Sequence, residues 1–217
     1  MLKAKDQQFL IVHNLSKIGL PRDRKIERIY VHCSASERGT AEVIDQWHRS
    51  RRWDGIGYHF VINNGKMTPE GGLPEGFIQL GRDVETQGAH VKSDNAHSLG
   101  ICVIGSYEKF SFHTGGGEVD LYRALGLLCA HLCKHLKLPV RQVLGHREVN
   151  LVPGTEHTTK TCPGSRVDMD AVRAFITSIV NLHYSNELAY YYQRVAQFRA
   201  GAGVPQYDYL VEGSIIH

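Results

Sequence analysis

The sequence predicts an α/β fold: a single domain with a central mixed β-sheet flanked by helices, extended at its C-terminus by a further helix. Three observations carry this. Short runs rich in β-branched and aromatic residues alternate with segments of helical period, as in a sheet covered by helices. Leu99-Gly-Ile-Cys-Val-Ile104 is apolar without a break, the pattern of a central strand buried on both faces. Leu121, Leu125, Leu128, Leu132 and Leu136 recur at helical spacing and mark a helix over 118–138, closed by Pro139.

The elements follow in order. Residues 1–26 form a lead segment ending in the charged run Arg22-Asp23-Arg24-Lys25. The main domain is assigned to 27–182 and a C-terminal helix and tail to 183–217. Arg28-Ile29-Tyr30-Val31-His32-Cys33 reads as a buried strand. A helix over 40–51 starts at Thr40, whose hydroxyl suits an N-cap, with Glu42 in its first turn. Residues 56–63 read as a second strand. Asn63-Asn64-Gly65-Lys66 reads as a hairpin turn, because Asn-Gly supplies the positive φ of a type I′ turn. Residues 77–80 are a third strand and 140–144 a short one ending at Gly145-His146. Residues 153–164 form a loop rich in Gly, Pro and Thr, and 167–182 form the domain's last helix. An amphipathic helix over 186–200 is broken by Gly201-Ala-Gly203, and the last fourteen residues read as irregular.

Composition narrows the function classes. With 42% hydrophobic and 22% charged residues, the chain of 217 residues is globular, not disordered or fibrous. A net charge of +3 suits an anionic polymer but is too small to point to nucleic acid. The apolar run Phe9-Leu10-Ile11-Val12 is shorter than the ~7–15 residues of a signal-peptide core. No stretch reaches the ~18–20 apolar residues of a membrane span. The chain is therefore expected to be made as a soluble cytoplasmic protein, released by another agent if it acts outside. Five cysteines, an odd number, argue against a disulfide framework and leave at least one thiol free. The sequence carries no reading of oligomeric state.

Thirteen histidines are present, and most must be structural. His131 and His135 share a helix face beside Lys134 and Lys137, off the leucine stripe, and are read as solvated. Cys102, Cys129 and Cys133 fall in apolar surroundings and are read as small core residues. His32 and His146 each end a strand, where a side chain can leave the sheet and face a crevice. Cys162 lies in the irregular loop Lys160-Thr161-Cys162-Pro163-Gly164, where the lysine is expected to lower the thiol's pKa. Two neutral imidazoles and a thiolate make a catalytic zinc set with a fourth position for water. Spacing alone leaves this open against unconnected core and surface residues, since the sequence has no local HExxH or CxxC.

Five motifs in order resemble a known family: Val31-His32-Cys33-Ser34-Ala35; Gly57-Tyr58-His59-Phe60-Val61-Ile62; Gly88-Ala89-His90 followed by Ser98-Leu99-Gly100-Ile101; Gly145-His146-Arg147-Glu148-Val149; and Lys160-Thr161-Cys162-Pro163-Gly164. They resemble the zinc-type N-acetylmuramoyl-L-alanine amidases shared by phage amidases and peptidoglycan recognition proteins, over about residues 27 to 178. The resemblance implies that 27–182 is the catalytic domain and that one Zn²⁺ is held by His32, His146 and Cys162. It gives Tyr58 and Lys160 catalytic roles and places His90 and Asn95 along the substrate groove. It implies hydrolysis of the amide between N-acetylmuramic acid and L-alanine in peptidoglycan by a phage-type endolysin, with peptidoglycan or muropeptide as partner. A cytoplasmic enzyme recycling anhydro-muropeptides and a non-catalytic peptidoglycan-binding module are the rival readings; Cys162 argues against the second, because non-catalytic relatives typically lack the thiolate.

The remaining residues of these motifs have plainer readings. Trp47, in a helix resembling the family's Trp-His helix, is read as packing. His59 is read as support behind the site, since its neighbour Tyr58 points to the opposite strand face. Glu148 is read as an exposed turn carboxylate. Pro153 to Thr159 is read as a flap over the groove, with His157 in it and not among the ligands, and Gly71 to Gly76 as a lengthened hairpin.

Overall fold

In a computed structural model the described residues are 11–12, 14–66, 73–109 and 119–202. Five strands form one mixed sheet: β1 (Arg28–Cys33), β2 (Phe60–Ile62), β3 (Ile78–Leu80), β4 (Ser98–Val103) and β5 (Val143–Gly145), in the order β3-β2-β4-β1-β5. β1 pairs in parallel with both β4 and β5, β2 pairs in parallel with β4, and only β3 runs antiparallel, against β2. All six residues of β4 are buried at the centre, as its unbroken apolar run requires.

The pleat divides β1 between two surroundings. Ile29 and Val31 join the main core, together with Leu99, Ile101 and Val103 of β4 and Phe60 and Ile62 of β2. This face is covered by α2 (Val119–Leu136) and α3 (Met169–Ser178). Leu121, Leu125, Leu128 and Leu132 are fully buried there, and Tyr122 stacks on Phe175 with centroids 4.4 Å apart. On the opposite face, Val61, Cys102 and Ile104 pack against Ala41 and Ile44 of α1 (Ala41–Ser50). Tyr30 and His32 point to this second face, and the rest of the site is assembled around them.

Several expected elements differ in detail. α1 starts as read, with the Thr40 hydroxyl accepting from the Val43 N–H. The second strand is confined to Phe60–Ile62, because Gly57, Tyr58 and His59 give their backbone bonds to the segments around Gly81, Ala89 and Gly100. The Asn63–Lys66 segment is not a two-residue hairpin: β2 and β3 pair from Ile62 and Ile78, so the connection is long. Gly65 has φ +77, but Asn64 is not left-handed as a type I′ turn requires. Residues 71–72 of the lengthened hairpin lie outside the described residues. Val140–Gln142 is a 3-10 turn that leads into β5. α2 ends in a left-handed Lys137 (φ 56) just before Pro139.

The two C-terminal helices are continuous. Asp168 caps α3 through bonds from the Asp170 and Ala171 N–H groups. A π-helical segment, Ile179–His183, then passes directly into α4 (Tyr184–Ala202). The described part of α4 ends at Ala202, within the Gly201-Ala-Gly203 segment read as its break; Gly203 and the tail lie outside the described residues. α4 packs back on the domain: Tyr191 donates to the Val12 carbonyl (2.5 Å) and accepts from the Ile78 N–H. Tyr192 accepts from the Leu15 N–H (3.0 Å), and Arg123 pairs with Glu187. Ile11 bridges to Gln79, so the start of the chain is sewn to the sheet edge by the helix near its end. Among the described residues no helix is long and apolar enough to cross a membrane.

α4 also changes the surroundings of a histidine read as solvated. His131 is buried, its Nδ1 2.7 Å from the Tyr184 hydroxyl, while His135 remains exposed. The α2 pattern by itself does not show that a later helix lies over that face. Burial, then His135 and Lys134, push the pKa of His131 down to about 4. The unfolded chain therefore takes up a proton at this residue near pH 6.5 that the fold refuses until about pH 4. Stability attributable to His131 is thus present above pH 6.5 and falls away as the pH drops toward 4. His131→Gln should lower by about one proton the slope of stability against pH in that window, measured by urea unfolding.

Candidate active site

His32 is the fifth residue of β1 and is 1% exposed. β1 and β5 run parallel with Val31 opposite Gly145, so His146, the next residue along, arrives beside His32; their ring centroids are 4.7 Å apart. This is the carboxyl edge of a parallel sheet, the usual place for a ligand site in an open α/β fold. Cys162 comes from the long loop before α3. Its Sγ lies 3.7 Å from His32 Nδ1 and accepts from the Cys33 N–H at 3.4 Å. One ligand atom from each of His32, His146 and Cys162 lies within 4.8 Å of the other two.

The loop is held by the residues flanking His146. The Arg147 N–H donates to the Cys162 carbonyl (2.9 Å), and its guanidinium donates to the carbonyls of Thr161, Gly164 and Val167. Gly145 lets the loop approach: a Cβ there would lie 2.8 Å from Pro163 Cδ and 3.1 Å from Met169 Cγ. Glu148 is not a free turn carboxylate. It accepts from the Gly145 N–H (2.8 Å) and forms a two-pronged ion pair with Arg173 at 2.9 and 3.0 Å. The partner is 25 residues away on another helix, which is why the sequence does not reveal it.

The donors' protonation states favour a metal at the imidazoles. Burial, followed by His90, His146 and Lys160, drives the His32 pKa well below 6.5. Burial and then Lys160 take His146 to about 4. Both rings are neutral at pH 7 and present lone pairs. The expected depression of Cys162 by Lys160 is not found. The hydrogen bond shared with the Cys33 thiol, then burial, raise Cys162, while the same bond draws Cys33 down to about 7. A divalent cation would reverse the order, since a coordinating thiol loses its proton. Bond lengths of about 2.0–2.3 Å to a tetrahedral ion put ligand atoms roughly 3.3–3.7 Å apart; the 3.7 Å between Cys162 Sγ and His32 Nδ1 matches this, and the His146 donor lies within 4.8 Å of both.

The other expected residues surround this cluster. The Tyr58 ring lies 5.0 Å from that of His32, and burial raises its hydroxyl pKa well above 10, keeping it a donor. Lys160 is exposed on the loop, near enough for its charge to depress both histidines. The loop is pinned through Asn150 to Thr158 and Ser93 to Glu156, and His157 points to solvent. His90 and Asn95 face the protein: His90 Nδ1 is 3.1 Å from His32 Nε2, and Asn95 Oδ1 accepts from the His90 and Val91 N–H groups. His59 is fully buried with its ring edge-on to His90. His48 accepts from the Gly57 N–H and carries Trp53 on its ring. Trp47, expected to pack, is 38% exposed above Gly39. Cys33, Arg147 and Arg173 also hold the site; in the sequence Cys33 and Arg147 show only as neighbours of His32 and His146 within their motifs, and Arg173 carries no signal.

The fold and cluster together define an α/β domain with a His-His-Cys cluster that could hold one metal ion at the carboxyl edge of its parallel strands. The chain belongs to the N-acetylmuramoyl-L-alanine amidase family, whose model matches residues 22–165. It is 33% identical to the endolysin of Klebsiella phage KP32 over 98 residues, which are 43% of this chain and 58% of that protein. It is 28% identical to the endolysin of Escherichia phage T7 over 153 residues, 69% of this chain and 87% of that one. Among solved structures, the endolysin amidase LysCS from Clostridium intestinale shares the fold at a TM-score of 0.57 and 23% identity, covering 73% of this chain and 88% of that one.

Removing the carboxylate behind His146 should be costly. Glu148→Ala removes the acceptor of the Gly145 N–H and the two-pronged partner of Arg173, which keeps only Asp170 and the Val143 carbonyl, and is expected to destabilise the fold by about 2–3 kcal/mol in urea unfolding.

Proposed function

We propose that this protein is a zinc-dependent amidase of the phage-endolysin type. It would cut the amide joining N-acetylmuramic acid to L-alanine in peptidoglycan, acting on the cell wall. The convergence of His32, His146 and Cys162 within a domain of this family supports that reading above all. His32, His146 and Cys162 would hold one Zn²⁺. When bound, zinc supplies Lewis acidity and brings the pKa of a water down to ~7.

The chain's own groups do the rest. Neutral imidazoles at His32 and His146 offer lone pairs over the whole range above about pH 4 for His146. Tyr58, protonated throughout, donates a hydrogen bond to the oxygen that gains charge at the scissile carbonyl. Lys160 brings a positive charge to the same side from the pinned loop, stabilising that oxygen as charge develops. The buried sheet edge under His32 excludes water from behind the site.

Digestion of purified sacculi tests this directly. Mass spectrometry should find stem peptides with a new L-alanine amino terminus and intact glycan strands; glycan cleavage without new amino termini would overturn the amidase reading. Faster release from soluble muropeptides than from sacculi would favour a recycling enzyme. Cys162→Ser should lose stoichiometric zinc and nearly all release while remaining folded. Tyr58→Phe should keep zinc but turn over about 10²–10³-fold more slowly, measured as initial rate of stem-peptide release.

A further inference from the structure

A histidine that binds a metal through one nitrogen needs the other anchored, because the anchor fixes both the proton's position and the ring's direction. Here the anchor is itself a histidine. We propose that His90 is the positioning residue of the metal site: its Nδ1 accepts the His32 Nε2–H and so leaves the His32 Nδ1 lone pair aimed at the ion. This rests on the metal reading given above.

Opposite nitrogens of His32 are committed to opposite neighbours. Nε2 lies 3.1 Å from His90 Nδ1, and Nδ1 lies 3.7 Å from Cys162 Sγ. A neutral imidazole carries one proton. An ion shared with Cys162 takes the Nδ1 lone pair, so the proton must sit on Nε2 and His90 Nδ1 must accept it.

The rest of the neighbourhood holds His90 in that role. Its ring occupies a slot bounded by two glycines: a Cβ on Gly88 would lie 2.5 Å from His90 Cδ2, and one on Gly100 would lie 2.7 Å from it. Asn95 Oδ1 ties down the backbone on both sides of the bond between residues 90 and 91. Behind it, His59 cannot compete for the ring. His59 Nδ1 accepts from the Gly100 N–H, so its proton is on Nε2 and points to the Thr86 carbonyl. The second nitrogen of His90, Nε2, is buried and has no partner among the described residues. A slot that leaves a buried nitrogen unmatched while satisfying Nδ1 marks the Nδ1 contact as the one the site is built around. His90 is enclosed and acts through His32, not by touching substrate.

The test uses two variants of the full chain. Asparagine places Oδ1 where histidine has Nδ1 and keeps an acceptor, whereas leucine fills the slot without one. Zinc affinity, from competition with a chromophoric chelator, should stay within about threefold for His90→Asn and fall about 10–100-fold for His90→Leu. Nitrogen-15 NMR of the zinc-loaded wild type should show His32 coordinated through Nδ1 with its proton on Nε2, a result that does not depend on either variant folding. Wild-type affinity in a folded His90→Leu, equal loss in both variants, or coordination through Nε2 would overturn the proposal. A wild-type protein that takes up no zinc would instead overturn the metal reading beneath it.

Discussion

The parallel register of β1 against β5, with Val31 opposite Gly145, is what brings His32 and His146 together. Parallel strands need no local turn between them, so their ends can carry residues more than a hundred positions apart to one edge. The pleat then sets direction. Ile29 and Val31 go to the main core, while Tyr30 and His32 go to the other face. A slip of one residue would bury His32 among the leucines of α2 and lose the site.

Around that register lies a layer of polar groups that hold these side chains in place. Glu148 and Arg173 hold the start of the 3-10 turn carrying His146, and Arg147 holds the loop carrying Cys162. The Arg28 guanidinium and the Tyr30 hydroxyl both engage the buried Asp94, next to the asparagine that pins His90. Burial keeps His32, His59, His90 and His146 neutral, the state in which an imidazole can ligate or accept. The same burial raises Tyr58 and keeps it a donor. Position in the low-dielectric interior therefore sorts these groups into roles before any ion or substrate arrives.

Local pattern made several features legible. The apolar run of β4, the leucine stripe of α2 and the Thr40 cap each involve neighbours within a few residues, and each stands where the sequence placed it. The burial of His131 was not legible, because it depends on Tyr184, 53 residues away. The π-helical join of α3 to α4 was equally hidden: the sequence reads two helices, over 167–182 and 186–200, whereas Ile179–His183 carries the first directly into the second, whose Tyr191 and Val195 pack on the core. Spacing without a family pattern left His32, His146 and Cys162 unconnected.

The sequence by itself determined which strands are buried, where α1 begins, and, through five ordered motifs, which two histidines and which cysteine to watch. Tertiary structure alone decided that these residues meet, that Cys162 accepts from the Cys33 N–H, and that His90 turns its ring to His32. The reason is physical. Propensity, capping and periodicity act between residues a few positions apart. Burial, tautomer choice and pKa depend on what the folded chain brings near from far away.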